Sequence, residues 1–252
     1  MTSKVPVITI DGLSASGKGT VANRVSRELE WNLLDSGLLY RVVAYLASEH
    51  NLEYWQEEAI AKLVEQRIRI EYSKTGIQAS SLKESRELRD SIVYVLSDSL
   101  QHKTVQWNGK DVTSIVRGNE ISRGAALVAA SRRIRSVLVP KQREQRVEPG
   151  LVADGRDMGT VIFPDAQLKI FLEASLETRT KRRMAQLGAA NTDESFHRVL
   201  QSLKDRDERD SLRDVAPAVP AHDAIQLDSS RLSVQETVDF VMRKARNRGI
   251  ID

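Results

Sequence analysis

A run near the start of the chain, Gly12-Leu13-Ser14-Ala15-Ser16-Gly17-Lys18-Gly19-Thr20, has the residue types and order needed to cradle a chain of phosphates. Glycines let the backbone curl until successive N–H groups point inward at anionic oxygens. A helix beginning behind the loop adds the positive end of its dipole. Lys18 supplies a point charge for the outer phosphates. The run matches G-x-x-x-x-G-K-[ST] with one departure: Gly19 stands where a hydroxyl residue is usual, and the hydroxyl follows one place later at Thr20. Mg²⁺ accompanying a bound nucleotide is therefore expected near Thr20, with no certain protein ligand.

Three further clusters could act on an anionic ligand. Asp35-Ser36-Gly37-Leu38-Leu39-Tyr40-Arg41 sits where a short strand feeds a helix. Asp35 and Ser36 could accept and donate there, and Arg41, about one and a half turns on, could reach a phosphate. The same residues also read as a helix N-cap with a solvated arginine. Ala153-Asp154-Gly155-Arg156-Asp157-Met158-Gly159-Thr160 follows another strand. Charged side chains between glycines suit a site on a tight backbone, and equally a charged surface turn. In Arg206-Asp207-Glu208-Arg209-Asp210-Ser211-Leu212-Arg213, Arg206, Asp210 and Arg213 fall near one helical face. A salt-bridged solvent face has that pattern too. The combination favours a site, because arginines from separate elements beside a triphosphate loop suit phosphoryl charge moving between two anionic ligands.

The elements that must position these residues alternate. Val5 to Asp11 reads as a buried parallel strand and Lys18 to Leu29 as a helix, with Val21, Val25 and Leu29 four apart. Asn32 to Asp35 is a short strand; Leu38 to His50 and Glu57 to Gln66 are helical. The pattern then changes. Arg67 to Tyr72, Thr104 to Trp107 and Asp111 to Ile115, with a hairpin signal at Asn108-Gly109, suggest a small antiparallel sheet. Ala79 to His102 interrupts it and reads as one or two helices. Helices follow at Ile121 to Ala130 and Ser131 to Val147, then strands at Leu151 to Asp154 and Gln167 to Leu172. Leu176 to Gln186 and Ser195 to Asp210 are helical; Ala224 to Leu227 is the last strand and Ser233 to Asn247 the last helix. Strand–helix alternation implies an α/β fold with a parallel sheet and right-handed crossovers, the smaller sheet being an insertion.

Bulk properties narrow the function. The 252 residues include no cysteine, which excludes disulfides and thiolate metal sites. A net charge of +3 arises from 38 basic and 35 acidic residues that are largely interleaved. No basic stripe with interleaved aromatics suggests nucleic-acid binding. No apolar run suits a membrane span, and the start of the sequence resembles no secretory signal, so a cytoplasmic location is expected.

The runs GLSASGKGT, LLDSGLLYR, ADGRDMGTVIFPDA and RDERDSLRDVAPAVPA, in that order, resemble the bacterial-type cytidylate kinases, a family of nucleoside monophosphate kinases. Leu227-Asp228-Ser229-Ser230 and the helix after it fit as well, so the resemblance covers nearly the whole chain. It implies a P-loop NTPase three-layer α/β fold: one domain with a core of about 1–60 and 131–252, an acceptor-binding insertion of about 61–130, and a short helical lid of about 179–195. It further implies ATP-dependent phosphorylation of CMP and dCMP to the diphosphates, with Mg²⁺, by a monomer without nucleic-acid or membrane partners.

Carried over by position, Gly12 to Thr20 would hold the ATP phosphates. Ser36, Arg135, Asp157 and Arg213 would read the base; Arg41 and Arg156 would grip the acceptor phosphate; Arg206 and Asp210 would hold the pentose. Lys18, Arg156, Arg182 and Arg183 are the expected catalytic charges, with Arg179, Arg182 and Arg183 near the lid closing over ATP. A carboxylate at Asp157 can accept from the exocyclic amine of cytosine. Uracil presents an oxygen there, and an unpaired buried acceptor costs about 1–3 kcal/mol. Two positions depart from the family pattern. Ala126 replaces a serine that touches the sugar, and the stretch of about 79–102 is longer than the family's hairpin. Rival functions are another small-molecule P-loop kinase, or a nucleotide-switched nucleic-acid-binding protein.

Overall fold

The strand that leads into the glycine run is buried at all six positions, as its β-branched sequence requires of a strand covered on both faces. In the computed structural model, residues 5–73, 92–97, 103–190 and 192–252 are described. Two units divide the chain, one of residues 1–33 and 150–252, the other of residues 34–149. In chain order the elements are β1 (Val7–Gly12), α1 (Lys18–Glu28), β2 (Asn32–Asp35), α2 (Ser36–Glu49), α3 (Glu57–Arg67), β3 (Ile68–Ser73), β4 (Ile92–Ser97), β5 (Lys103–Trp107) and β6 (Lys110–Asp111). There follow α4 (Thr113–Val116), α5 (Asn119–Ala130), α6 (Arg132–Arg143), β7 (Leu151–Gly155), a π-helical turn at Met158–Ile162, β8 (Leu168–Glu173), α7 (Leu176–Leu187), α8 (Asp193–Leu212), β9 (Ile225–Asp228) and α9 (Val234–Asn247).

The first unit is built on a sheet of order β2-β7-β1-β8-β9. β1 is central, parallel to β7 on one side and β8 on the other, with Asp11 opposite Gly155 and Gly12 opposite Leu172. β9 runs parallel to β8. Val21 and Val25 of α1 and Val238, Val241 and Ala245 of α9 are buried with Ile8, Ile10 and Ile170 of the sheet. The predicted valine spacing on α1 is thus the face that covers the sheet. Three helix starts in this unit carry side-chain caps: Ser175 accepts from Thr178 N, Thr192 from Ser195 N, and Ser233 with Glu236 forms a reciprocal capping box.

In the second unit, α2 buries Leu38, Leu39, Val42, Val43 and Leu46 in one core with Ile60 and Val64 of α3, Val128 of α5 and Ile134 and Leu138 of α6. Its sheet has the order β3-β4-β5-β6. The expected antiparallel insertion is here a mixed sheet: β4–β5 and β5–β6 are antiparallel, but β3 and β4 are parallel, Ile68 pairing with Ile92 and Ser73 with Ser97. A parallel connection needs a dozen or more residues, and the sequence between Ser73 and Ile92 is long enough. Residues 92–97, read from the sequence as helical, are therefore a strand; their run Ile-Val-Tyr-Val has strong β preference. The rest of Ala79 to His102, apart from the described residues 92–97, lies outside the described residues. The hairpin at Asn108-Gly109 is present, both residues having positive φ, 49° and 73°. The strand expected over Asp111 to Ile115 stops at Asp111. The Asp111 carboxylate accepts from Thr113 N at 2.8 Å, and Thr113 Oγ1 accepts from Val105 N at 2.8 Å, turning the chain into α4.

Candidate active site

The glycine run occupies the turn between β1 and α1 in the first unit, and its backbone has the geometry that the residue types anticipate. Ala15 and Gly17 take left-handed φ values of 59° and 96°, alternations that aim peptide N–H groups into one concavity. Gly12 is required by proximity, since a Cβ there would lie 2.2 Å from the Leu172 carbonyl oxygen. Gly17 caps α1 without a side-chain bond to its first amides. The Lys18 ammonium donates to the Leu13 carbonyl at 3.3 Å, arching back over the loop. Gly19 makes room for a carboxylate, because a Cβ on it would lie 3.0 Å from Asp154 Oδ2.

Arg156, just after β7, links the loop to α8. Its Nη2 donates to Ser14 Oγ at 2.7 Å and pairs with Asp210 Oδ2 at 2.8 Å. Burial pushes its pKa down, against the attraction of Asp210. Arg206 reaches the same Asp210 oxygen at 3.8 Å. Arg206 and Arg156, from separate elements, therefore meet at Asp210. Arg213 lies just past the end of α8, in extended backbone, and donates to the Ala216 carbonyl. Its place is set by the turn after the helix and not by the helical face first assigned to it. Ala218 N closes that turn onto the Asp210 carbonyl at 2.8 Å. Asp157 is buried, 2% exposed.

Of the three α7 arginines expected in a lid, Arg179 and Arg182 meet the glycine run. Arg179 Nη1 pairs with Asp207 Oδ2 at 2.5 Å and donates to the Ser14 carbonyl at 3.3 Å. Arg182 donates to the Ser16 carbonyl at 2.7 Å and, through its other terminal nitrogen, to the Ser229 carbonyl at 2.8 Å. Partial burial lowers the Arg182 pKa, and Asp228 opposes that shift. Arg183 instead bonds Gln186 on its own helix. α7 ends at Gly188 in a left-handed cap, φ 59°. Met184, Val199 and Leu203 join α7 to α8, with Ala15 of the loop packed against them.

The second unit carries Ser36, Arg41, Ala126 and Arg135. Ser36 is buried at the start of α2, whose cap is the Asp35 carboxylate accepting from Leu38 N at 2.9 Å. Arg41 donates to the Arg117 carbonyl at 3.0 Å. Arg135 is buried and donates to the Tyr40 hydroxyl at 2.7 Å. Ala126 is half-buried on α5.

Asp11, Asp154, Asp207 and Ser229 were not singled out from their types and spacing. Asp11, 5% exposed, accepts from Met158 N at 2.9 Å and Gly159 N at 2.8 Å. Burial raises its pKa to about 7; the two amide bonds oppose that, while Asp157 and Asp154 add to it. A carboxylate closing a β-branched run is the one signal that could have drawn attention to it.

A family model described as cytidylate kinase matches residues 8–247. The cytidylate kinase of Pseudomonas savastanoi pv. phaseolicola is 44% identical over 250 residues, covering 99% of each chain. That of Pseudomonas putida is 42% identical over 251 residues, 100% of each chain, and that of Stutzerimonas stutzeri 43% over 250 residues, 99% of each. Among the described residues, no helix is long and apolar enough to cross a membrane, and no group of three or more His, Cys, Asp or Glu side chains could hold a metal ion.

Proposed function

The chain belongs to the cytidylate kinase family, and we propose that it transfers the γ-phosphoryl group of ATP to CMP and to dCMP, releasing ADP and the diphosphate. An oxygen of the acceptor phosphate attacks the γ-phosphorus in line as the bond from that phosphorus to the β,γ-bridging oxygen breaks. The electron pair leaves on the β-phosphate. The attacking oxygen is already anionic, so positioning and charge neutralisation carry the catalysis.

The observation that supports this reading best is the place of Arg156, which bonds Ser14 of the phosphate loop and Asp210 of α8 at once. An arginine tied to the donor loop can neutralise charge on an acceptor phosphate beside it. Lys18 and the amides of Gly12 to Thr20 hold the ATP phosphates. Arg41 joins Arg156 on the acceptor phosphate, and Arg206 with Asp210 orients the pentose. Ser36, Arg135, Asp157 and Arg213 read the base. Arg182 and Arg183 contribute charge from the lid, residues of about 179–195.

Mg²⁺ suits this loop. The Asp154 carboxylate lies 3.0 Å from where a Cβ on Gly19 would stand, an oxygen donor beside the place where the common form of the loop has a hydroxyl. Mg²⁺ takes few protein ligands and relies on substrate phosphates. Thr20 and Asp154 would hold it, and it would supply charge neutralisation between the phosphates. A monomer in the cytoplasm, supplying pyrimidine nucleotides, completes the reading.

The test is an ADP-release assay with ATP and Mg²⁺ and with CMP, dCMP, UMP and AMP offered separately. Strong turnover with CMP and little with UMP or AMP is expected; equal turnover with UMP overturns the assigned base reading.

A further inference from the structure

We propose that Asp11 is the positioning residue that aims Asp157 at the acceptor base, an inference resting on the reading of Asp157 as the group that selects cytosine. Asp11 ends β1, directly opposite Gly155 of β7. From there its two carboxylate oxygens accept from consecutive amides, Oδ1 from Met158 N at 2.9 Å and Oδ2 from Gly159 N at 2.8 Å. These are the first amides of the π-helical turn, which has no intrahelical partner for them. The residue at the usual capping position is Asp157, and its side chain does not cap the turn. Capping and base reading, both carboxylate tasks, are thus divided between two residues.

The division has a geometric consequence. The Met158 N–H belongs to the peptide plane that follows Asp157. Holding that plane fixes ψ of Asp157, which is 20° at a φ of −138°. The direction of the Asp157 Cα–Cβ bond follows from the backbone thus held. The packing around the turn leaves little slack. A Cβ on Gly155 would meet the Met158 side chain at 2.7 Å, and one on Gly159 would meet Thr9 Oγ1 at 2.9 Å and Asp11 Oδ2 at 3.3 Å. The charged groups facing Asp11 are Asp154 and Asp157, both raising its pKa, with the Lys169 stem beside Gly159. The two amide bonds hold Asp11 in place among these like charges.

The experiment compares kcat/KM for CMP and UMP, and KM for ATP, in the parent, Asp157→Ala, Asp11→Asn and Gly159→Ala. Asparagine is the same size as aspartate but offers one acceptor oxygen to the two amides and turns an NH₂ toward the other. The CMP:UMP ratio is expected to collapse in Asp157→Ala and to fall about tenfold in Asp11→Asn, chiefly through KM for CMP, with KM for ATP within about twofold. A carboxylate that only held the fold would move all substrates together. If Asp157→Ala loses selectivity while Asp11→Asn keeps it, the positioning role is overturned and the base reading stands. An unchanged ratio in Asp157→Ala overturns the base reading itself. Should Asp11→Asn fail to fold, Gly159→Ala crowds Asp11 Oδ2, the acceptor of the Gly159 N–H, from the other side; a parental ratio there overturns the positioning role.

Discussion

The Asp154 carboxylate stands against Gly19: a Cβ on that glycine would lie 3.0 Å from Asp154 Oδ2. The exchange of hydroxyl for glycine in the phosphate loop is thereby coupled to an acidic residue at the end of β7. Gly19→Ser restores the common form of the loop and should nevertheless harm the protein. Forcing extra atoms into a filled site costs about 1–3 kcal/mol. Lower Tm and a several-fold higher KM for ATP are expected. A serine variant as stable as the parent, with ATP affinity intact, would show that Asp154 moves aside freely.

The arginines of α7 divide by what they touch. Arg182 joins the Ser16 and Ser229 carbonyls, tying the phosphate loop to the chain after β9, whereas Arg183 bonds locally to Gln186. Arg182→Ala should lower stability and turnover together. The lost bonds amount to about 1–2 kcal/mol, a Tm drop of about 2–8 °C for a chain of this size. Arg183→Ala should lose turnover at nearly parental Tm, because the role proposed for its charge is on ATP and its bond to Gln186 is local. Thermal unfolding and steady-state rates on both variants decide; full turnover in Arg183→Ala would remove it from the catalytic charges.

Asp11 makes stability depend on pH in a direction opposite to most carboxylates. Its pKa in the folded protein is raised from 3.8 to about 7 by burial. Between those values the unfolded chain has released the proton while the folded chain still binds it. Raising pH through that window therefore erodes stability, and the contribution is lost above about 7. Asp11→Asn, with no charge to bury, should flatten the slope of Tm against pH between about 4 and 7. An identical slope in parent and variant would assign the titration to other groups.

What the sequence carries best is local. Val21 and Val25, four apart, mark the buried face of α1 because helical period alone decides it, and the positive φ at Asn108-Gly109 follows from the residues themselves. The Arg206–Asp210 pair was visible because one helical turn separates them. The parallel pairing of β3 with β4 was not, since period cannot tell strand direction and an Ile/Val/Tyr run also suits a buried helix. The helical face expected to carry Arg206, Asp210 and Arg213 loses Arg213, because the helix ends at Leu212 and the turn closing at Ala218 takes over. Asp11 was missed for a related reason: its partners lie 147 and 148 residues away, and only the sheet register brings them together.

Ala126 offers a gain-of-preference test in the second unit. It is half-buried in α5, beside Ala125, which is packed in the core, and two residues beyond Gly124, where a Cβ would strike the Tyr54 ring at 2.2 Å. Position 126 thus has room for one more atom that its neighbour Gly124 lacks. Ala126→Ser supplies the hydroxyl that the family pattern would place at the sugar. Serine costs a few tenths of a kcal/mol in helix preference, about 0.5, so Tm should barely change. A new bond to the sugar contributes about 0.5–1.5 kcal/mol, which is about a twofold to tenfold change in kcat/KM. The ribose has one more hydroxyl to pair than the deoxyribose, so the ratio of CMP to dCMP should rise by that factor. Parallel assays of the two acceptors on parent and variant measure it. An unchanged ratio with both rates intact would mean that the sugar is held without position 126 and that the alanine is neutral in this chain.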